Sequence, residues 1–310
     1  MVFRSYSSYL KEKYGTPVYR VGVDAGFTCP HRAAGGCTYC DAHGARAVYL
    51  RNSRNPGLAG RNLQDRFRFI RKQVEEGMAF LRRRYDSREF ILYFQANTNT
   101  FGTLEELKLV YDYALSLASF RQLVVSTRPD CLGPPVVDLL RSYRTPDREV
   151  WVELGLQSGN DTTLERLNRG HRVRDFREAH DRLTRAGVET IVHLILGLPG
   201  EGRGEKEKTV RLLQDVSPRG IKFHNLHIPA GTALYEEYLR GGVAVSSLNR
   251  HRDELIFFLE RIPPDTVIMR LSTDTPGGAP APRRFGDKNV LYQTLETEMI
   301  RRGTWQGRLF

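Results

Sequence analysis

Hydrophobic and polar positions follow two alternating patterns along this chain. Six short apolar runs, rich in β-branched and aromatic residues, predict β-strands. These runs lie in the segments VYRVGVDAGF, FILYFQANTN, QLVVSTRPD, VWVELGLQS, LTRAGVETIVHLILGLPG and GIKFHNLHIP. Most segments between them predict helices, as in LQDRFRFIRKQVEEGMAFLRRRY, where Phe69, Val74, Met78 and Leu81 recur near helical spacing.

Strand and helix patterns follow one another at intervals of roughly 25 to 40 residues, which is typical of parallel βαβ units. Six such units in succession favour an α/β fold that forms one barrel or a partial barrel. A doubly wound sheet has the same rhythm and stays an alternative at this point. In both folds the functional residues lie at the carboxyl ends of the strands, where the sequence has Cys29, Gln95, Arg128, Gln157 and Gly197.

The two ends of the chain add elements to this core. A short helix is predicted over residues 5–13. The tail from Asn249 predicts a helix (RDELIFFLERI), a short strand (DTVIMRL), a Pro/Gly loop and a last helix (KNVLYQTLETEMIRR). We therefore expect a barrel over residues 1–248, including the first helix, and a C-terminal extension over residues 249–310 that packs on it.

Composition and charge narrow the class of protein. The 310 residues have a formal net charge of +11, and only eight of the 47 basic residues are lysine. Such a charge suits a polyanionic partner such as RNA, although arginine excess also arises from genome composition. No apolar run approaches the roughly 20 residues of a membrane helix, and the amino terminus lacks the apolar region of a secretory signal. We expect a cytoplasmic protein without membrane contact.

Three of the four cysteines lie within twelve residues, in the segment CPHRAAGGCTYC. Cys29, Cys37 and Cys40 have the spacing C-x7-C-x2-C, which favours a thiolate metal site over a disulfide framework. With His43 as a fourth ligand they would complete a zinc site. A 4Fe–4S cluster held by three cysteines would instead keep one iron open to another ligand. The local spacing is compatible with both metals.

A longer series of motifs extends across the chain. It comprises DAGFTCP, YFQANTNT, STRPDCL, VELGLQSGNDTTLERLNRGH, HLILGLPGE, FHNLHIPAGTALY and RRGTWQG, in this order between residues 24 and 307. With these motifs the chain resembles the radical SAM superfamily, and within it the YhcC/YtqA-like family, which is related to the Elongator catalytic subunit and to oxygen-independent coproporphyrinogen oxidase. The resemblance implies a partial (β/α)6 TIM-like barrel of the radical SAM type with a C-terminal α/β extension.

The resemblance also implies two cofactors, a 4Fe–4S cluster and S-adenosyl-L-methionine (SAM). Cys29, Cys37 and Cys40 would bind the cluster, and SAM would chelate its open iron. One electron from a flavodoxin or ferredoxin-type donor would cleave SAM, and the 5′-deoxyadenosyl radical would abstract a hydrogen atom from the substrate. The positions expected to contact SAM are Tyr39, Gln95, Ala96, Asn97, Ser126, Gln157, Arg169, His193, Ile195 and Gly197.

Some of these positions have an implied role and a simpler alternative. The turn at Gln95 to Thr98 matches one whose backbone carbonyls bind the methionine amino group. Gln157 matches a ribose ligand, but its side chain could also only satisfy buried backbone groups. Arg169 matches the arginine that pairs with the SAM carboxylate, but it could also end the helix that begins near Asp161, where a cation suits the helix dipole.

Three residues are candidates for a direct catalytic role. Glu153, in the middle of a strand, either faces the barrel interior as a functional acid or pairs with an arginine there. His193 stands where relatives of the porphyrin type have an aspartate, and Ser126 likewise replaces an acidic residue, so porphyrin decarboxylation is disfavoured. Cys131 could supply a hydrogen atom, although a lone thiol after a strand is usually inert.

The relation to Elongator and the basic charge favour a tRNA nucleoside as substrate, at a wobble-uridine side chain. The candidates for phosphate contact are Arg51, Arg54, Arg61, Arg82, Arg83, Arg84, Arg283 and Arg284. One alternative is a radical SAM enzyme that acts on a small molecule or a tetrapyrrole, and another is a zinc-stabilised RNA-binding protein. Because only Cys131 remains outside the cluster, chemistry that needs an auxiliary iron–sulfur centre is disfavoured.

Overall fold

The structure, a computed structural model, describes residues 2–40, 62–95, 97–273 and 288–310. Within these ranges the strands are β1 (Val18–Val23), β2 (Glu89–Phe94), β3 (Gln122–Thr127), β4 (Glu149–Gln157), β5 (Glu189–Leu196), β6 (Gly220–Asn225) and β7 (Val267–Arg270). The helices are α1 (Tyr6–Tyr14), α2 (Leu63–Tyr85), α3 (Leu104–Ser116), α4 (Pro134–Ser142), α5 (Asp161–Arg166), α6 (Val173–Arg185), α7 (Arg203–Val216), α8 (Ala233–Leu239), α9 (Leu248–Leu259) and α10 (Lys288–Arg301).

All seven of these strands pair in parallel in one sheet, in the order β1 to β7. The six strands predicted from apolar runs are β1 to β6. The short strand predicted in the tail is β7, which continues the same sheet beside β6. The sheet curls into a half-barrel, and α1 contacts both edge strands, β1 and β7. The predicted partial barrel is confirmed, and the division of the chain at residue 248 stays a prediction.

The longest of these helices, α2, shows how the apolar pattern selects the buried face. Val74, Met78 and Leu81 are buried against the sheet, as their spacing predicts. Phe69 is only half-buried, because the neighbouring Ile70 lies at the centre of the helix face that packs on the sheet. None of the helices in the described ranges is long and apolar enough to cross a membrane.

The two faces of the sheet bury different residues. On β4, the outward-facing Val152 and Leu154 belong to the main core between the sheet and the surrounding helices. The inward-facing Trp151 belongs to a second core inside the half-barrel, which also contains Tyr6 and Tyr9 of α1. Side chains alternate between the faces because successive residues of a strand point in opposite directions. The inner face is therefore the wall of a separate interior.

Helix α1 closes the amino-terminal end of this interior. Ser5 caps the helix, since its side chain accepts a hydrogen bond from the Ser8 amide. The rings of Tyr6 and Tyr9 contact the Trp151 ring, with centroid distances of 5.9 and 5.6 Å. We call these three aromatic residues the aromatic plug. Because the plug fills the amino-terminal end, we expect the site at the carboxyl-terminal end.

The last motif, RRGTWQG, fastens the two termini to each other. The Gln306 side chain accepts a hydrogen bond from the Arg4 amide at 2.9 Å and donates one to the Thr266 carbonyl at 2.8 Å. The backbone amide of Gln306 also donates a hydrogen bond to the Val2 carbonyl at 2.9 Å. These bonds join the chain ends beside the amino-terminal end of β7.

The aromatic plug provides a test of the fold. Trp151 is 0% exposed, so Trp151→Ala should lower the free energy of unfolding by about 3 to 5 kcal/mol through the cavity it leaves. Trp305 is 55% exposed, and Trp305→Ala should change that free energy by only about 0.5 kcal/mol. Urea denaturation followed by far-UV circular dichroism measures both variants. Equal destabilisation by the two substitutions would contradict the plug.

Candidate active site

A space opens inside the half-barrel at the carboxyl ends of the strands. Along β5, Val192 and Leu194 on the outer face are buried, whereas His193 and Ile195 on the inner face are half-buried. The same half-burial is found at inner-face positions around the sheet, namely Gln95, Ser126, Gln157, Gly197 and His224. The inner face is thus accessible at these positions, and we call the space that it borders the cavity; it lies at the end where sequence analysis expected the functional residues.

The segment Cys29 to Cys40, which we call the cysteine loop, closes over this end. It follows β1 and docks on the turn Leu167–Gly170 between α5 and α6, which we call the docking turn. The Thr38 amide donates a hydrogen bond to the Leu167 carbonyl at 3.0 Å, and Asn168 Nδ2 donates to the Gly36 carbonyl at 2.7 Å. Four backbone or amide groups thus hold two distant segments together.

Gly170 allows this close approach. Its φ is +72°, and a Cβ at this position would lie 2.5 Å from the ring of His31 in the cysteine loop. The His31 ring in turn contacts the Asn168 carbonyl through Nε2 at 2.6 Å. A side chain at position 170 would therefore push the cysteine loop away from the docking turn.

Arg169 in the docking turn links the barrel to the cysteines. It lies just beyond α5, which ends at Arg166, and its backbone amide donates to the Leu164 carbonyl at 2.9 Å, so its backbone closes that helix while its side chain turns towards the barrel. Its Nη2 donates to the Gly155 carbonyl at 2.7 Å, and its Nη1 contacts Cys37 Sγ at 3.5 Å. A Cβ on Gly155 would lie 2.5 Å from Nη2, so the absence of a side chain there makes room for the guanidinium.

Two further polar residues surround Arg169. Arg128 is 3% exposed and donates from Nε and Nη2 to Asp130, both at 2.9 Å. His171 Nε2 contacts the same Gly155 carbonyl at 3.0 Å. Burial, and then Arg169 and Arg128, lower the pKa of His171 to about 4, so it is a neutral donor at physiological pH. Sequence analysis placed Arg128 at a strand end but gave it no role.

Buried donors without partners indicate where an anionic ligand fits. In the part of the chain that the structure describes, Arg169 Nε and Arg128 Nη1 are buried and have no hydrogen-bond partner. Unpaired buried donors on cationic groups are costly, and a carboxylate would satisfy them. This observation fits the SAM carboxylate that the resemblance assigns to Arg169.

The three thiols of the cysteine loop fit a metal cluster by their chemistry. Burial, and then the proximity of Cys37 and Cys29, raises the pKa of Cys40, so the sulfurs are close enough to repel one another as thiolates. A metal cation would remove this repulsion. Among residues 2–40, 62–95, 97–273 and 288–310, no group of three or more Cys, His, Asp or Glu side chains is arranged so that it could hold a metal ion. His43, the fourth ligand of the zinc alternative, lies outside the described residues.

An apolar patch adjoins the thiols. Tyr39 and Ile195 pack against a hydrophobic cluster formed by Leu167, Leu198, Leu226, Ile228, Leu234 and Val243. The Leu234 amide donates to the Thr38 carbonyl at 2.9 Å, which ties this cluster to the cysteine loop. An apolar surface beside a cationic one suits a ligand with an aromatic base and a charged end.

The turn after β2 lies against the cysteine loop. The Gln95 amide donates to the Val23 carbonyl at 3.3 Å. Asn97 has a left-handed φ of +59°, and its Oδ1 accepts a hydrogen bond from Arg32 Nη2 at 3.3 Å. Ala96 lies outside the described residues. The described part of this turn thus lies beside the segment that carries the cysteines.

The remaining predicted SAM contacts lie along the cavity wall. Gln157 has a left-handed φ of +73° where the β4–β5 register shifts, and its Nε2 lies close to Gly155. The backbone carbonyl of Ser126 accepts a hydrogen bond from Asn99 Nδ2 at 3.0 Å. Gly197 has a φ of +79° and lies beside the Ser246 hydroxyl. The structure brings these residues to one wall, and their contacts with SAM stay predictions.

A buried ionic layer lies below that wall, formed by Tyr93, Glu153, His193 and Lys222. Glu153 is 0% exposed, and its Oε2 accepts hydrogen bonds from Tyr93 Oη at 2.5 Å, Lys222 Nζ at 2.9 Å and His193 Nε2 at 2.8 Å. Glu153 thus faces the interior, but its cationic partner is a lysine. Sequence analysis missed Lys222, although a lysine within the apolar strand GIKFHN was a signal for an inner-face partner.

Burial and the neighbouring charges set the ionisation of Glu153 and Lys222 in this layer. Burial by itself would raise the pKa of Glu153, but the attraction of Lys222 and the contact with His193 outweigh it and hold that pKa well below its ordinary value. Burial lowers the pKa of Lys222 to about 8, although Glu153 opposes the change. At neutral pH the layer therefore contains a carboxylate and an ammonium group.

Cys131 lies near the cysteine loop, whereas the basic candidates that the structure describes lie elsewhere. Burial, and then Asp130, raises the pKa of Cys131 to about 12, so its thiol stays protonated at neutral pH. Arg82 to Arg84 are exposed at the end of α2, roughly 30 Å from the start of that 23-residue helix at 1.5 Å per residue. They lie at the amino-terminal end of the barrel, away from the cavity. The other proposed phosphate contacts, Arg51, Arg54, Arg61, Arg283 and Arg284, lie outside the described residues.

Comparisons with known proteins agree with this architecture. The Radical SAM superfamily matches residues 25–213, and the Radical_SAM C-terminal domain matches residues 218–301. Protein MJ0486 of Methanocaldococcus jannaschii is 32% identical over 100% of this chain and 92% of that protein. Protein YtqA of Bacillus subtilis is 31% identical over 99% and 92%. A tRNA uridine(34) acetyltransferase of Dehalococcoides mccartyi is 30% identical over 56% of this chain and 38% of that protein.

Solved structures share the fold. Elp3 of Methanocaldococcus infernus superposes with a TM-score of 0.69 at 18% identity, over 93% of this chain and 64% of that one. Coproporphyrinogen III oxidase (HemN) of Escherichia coli has a TM-score of 0.53 at 14% identity, over 84% of this chain and 53% of that one. The half-barrel, the thiols at its carboxyl end and the match over residues 25–213 lead to one conclusion: this chain belongs to the radical SAM superfamily, whose members use a 4Fe–4S cluster and SAM.

Proposed function

We propose that this protein is a radical SAM enzyme that modifies a tRNA nucleoside, at the side chain of a wobble uridine. The observation that carries the chemistry is the contact of Arg169 with Cys37, which places a cationic anchor beside the three thiols. The substrate class is supported by the relation to a tRNA uridine(34) acetyltransferase and by the net charge of +11. The zinc alternative has no support from the family match.

Different residues of the cavity bind different parts of the two cofactors. Cys29, Cys37 and Cys40 hold the cluster. Arg169 and Arg128 offer their unpaired buried donors to the SAM carboxylate, and the patch around Tyr39 accommodates the adenine. When bound, the cluster would pass one electron from a flavodoxin or ferredoxin-type donor to SAM, and the cofactors would thereby supply hydrogen-atom abstraction from the substrate.

The chain's own contribution below the cofactors is to orient the substrate and exclude water. The ionic layer closes the interior with groups that are bound to one another, and the aromatic plug fills the space beneath it. Shielding matters because a carbon radical reacts with any accessible hydrogen donor. The protonated, half-buried Cys131 is one such donor near the loop, and its role as a hydrogen source remains part of this proposal.

Basic groups beside the cavity are better placed for RNA than those at the end of α2. An open pocket of about 420 Å³ adjoins the docking turn, and exposed Arg172 and Arg174 line it. Arg32 of the cysteine loop is also exposed. The ion pairs of Arg172 with Glu165 and of Arg174 with Asp175 are solvent-exposed and weak, so phosphates can replace these carboxylates.

The cluster assignment is tested by single cysteine variants. Anaerobically reconstituted protein should bind about four irons per chain and release 5′-deoxyadenosine when SAM and a strong reductant are added. Cys37→Ala should lose most of the iron and all release above background, because a ligand is missing. Cys131→Ala should keep its iron. Iron analysis and chromatography of 5′-deoxyadenosine measure both effects, and iron loss in Cys131→Ala alone would contradict the assignment.

The substrate class is tested by binding and by nucleoside analysis. The affinity for tRNA should fall steeply with salt, and the double variant Arg172→Ala/Arg174→Ala should weaken binding and reduce the slope of log K against log [salt] by about 1 to 2. Arg82→Ala/Arg83→Ala is the matched pair at the other end of the barrel. A larger effect of this second pair would place the RNA away from the cavity.

In cells, the substrate class is tested by mass spectrometry of tRNA nucleosides from wild-type and deletion strains. Loss of one modified uridine in the deletion strain is expected. Unchanged nucleosides, together with no tRNA binding at low salt, would remove this substrate class and favour a small molecule or a tetrapyrrole.

A further inference from the structure

His193 has one ring nitrogen whose hydrogen-bonding role is fixed by the ionic layer. Its Nε2 lies 2.8 Å from Glu153 Oε2, and Tyr93 and Lys222 donate to the same carboxylate. Because Glu153 is ionised, it can only accept hydrogen bonds, so His193 must carry a proton on Nε2. The tautomer of this histidine therefore follows from its neighbour.

The second nitrogen of His193 is consequently an acceptor. Burial, and then Lys222, lower the pKa of His193, so the ring is neutral and Nδ1 carries no proton. Within the described residues, Nδ1 has no hydrogen-bond partner, and the side chain is 14% exposed to the cavity. His193 thus presents one acceptor without a partner among these residues, Nδ1, at the inner face of the sheet.

His224 of β6 forms the adjoining part of the wall. The centroids of the two imidazole rings are 5.2 Å apart. His224 Nδ1 contacts the Thr273 hydroxyl at 2.5 Å, whereas its Nε2 is buried without a partner in the described part of the chain. Burial lowers the pKa of His224 well below its ordinary value, so this ring is also neutral.

Sequence analysis placed His193 among the SAM contacts, but this residue lies deeper in the half-barrel than Ile195, the next expected contact along β5. His193 precedes Ile195 on the same face of β5, which places it about 7 Å deeper in the half-barrel at 3.3 Å per residue. The cysteine loop, Tyr39 and Arg169 all lie at the outer end. A group that reaches the imidazoles therefore lies beneath the cofactors and faces them.

We propose that the two imidazoles bind the imide edge of a uracil base, an inference that rests on the proposed tRNA function. His193 Nδ1 accepts the hydrogen bond of the N3–H group. The Thr273 hydroxyl donates to His224 Nδ1, so that His224 Nε2–H donates to the adjacent carbonyl oxygen of the base. A cytosine would place its N3 acceptor against the acceptor of His193, so this pair of residues selects uracil.

Binding of matched RNA hairpins tests this assignment. Each hairpin carries one loop uridine, replaced in the second hairpin by 3-methyluridine and in the third by cytidine. The reconstituted protein is titrated with SAM present and without reductant, and fluorescence anisotropy gives the dissociation constants. We expect the uridine hairpin to bind at least about 10-fold more tightly than the other two. Equal affinities for all three hairpins overturn the proposal, whereas no binding of any hairpin overturns the tRNA function itself.

Two variants of His193 separate recognition from structural support. Asparagine places an amide oxygen near the position of Nδ1, whereas glutamine places its amide near Nε2 and can keep the bond to Glu153. His193→Asn should keep the preference for the uridine hairpin, and His193→Gln should reduce it to within about threefold. The opposite order would mean that only the contact with Glu153 matters, and it would overturn the proposal.

A third measurement separates substrate from cofactor. Equilibrium dialysis of SAM against the same two variants should give dissociation constants within about twofold of the wild type. A loss of SAM affinity of 10-fold or more in both variants would assign His193 to the cofactor and overturn its role in base recognition.

Discussion

The docking of the cysteine loop on the Leu167–Gly170 turn determines where the chemistry of this protein takes place. Apart from the short 3-10 helix Pro30–Ala34 the loop has no helix or strand, so its position depends on hydrogen bonds from Thr38 and Asn168 and on the close approach that Gly170 permits. The same turn carries Arg169, whose guanidinium joins the Gly155 carbonyl of β4 to the sulfur of Cys37. One short turn thus aligns the thiols, the cationic anchor and the strand ends.

Below this point the interior of the half-barrel is arranged in levels. The aromatic plug fills the amino-terminal end, the ionic layer lies above it, and the half-buried residues line the carboxyl-terminal end. A buried Glu153–Lys222 pair contributes little to stability, because desolvation offsets much of the attraction. Its clearer consequence is orientation, since the carboxylate fixes the tautomer of His193 and leaves one acceptor facing the cavity.

The sequence was sufficient for the strands, because these depend on local pattern, and the resemblance to a known family was needed to choose the partial barrel over a doubly wound sheet. The ligand role of the three cysteines stays a prediction. It was not sufficient for contacts that depend on register. The pairing of Glu153 with Lys222 joins β4 and β6 across β5, and the lysine within GIKFHN indicated an inner-face partner without indicating which residue it is. The unpaired donor of Arg128 is likewise visible only in the structure, where Nε and Nη2 donate to Asp130 and Nη1 has no partner among the described residues. Arg82 to Arg84 were suggested by charge alone, and the direction of α2 places them at the wrong end for the cavity.

The account requires that SAM bind the open iron of a three-cysteine cluster while its carboxylate contacts Arg169. Pulsed electron–nuclear double resonance on the reduced cluster, with SAM labelled by ¹⁵N in the amino group and ¹⁷O in the carboxylate, measures this arrangement. We expect hyperfine coupling from both labels in the wild type and a weakened or absent ¹⁷O coupling in Arg169→Leu. A reduced cluster that shows no coupling to either label in the wild type would contradict the account.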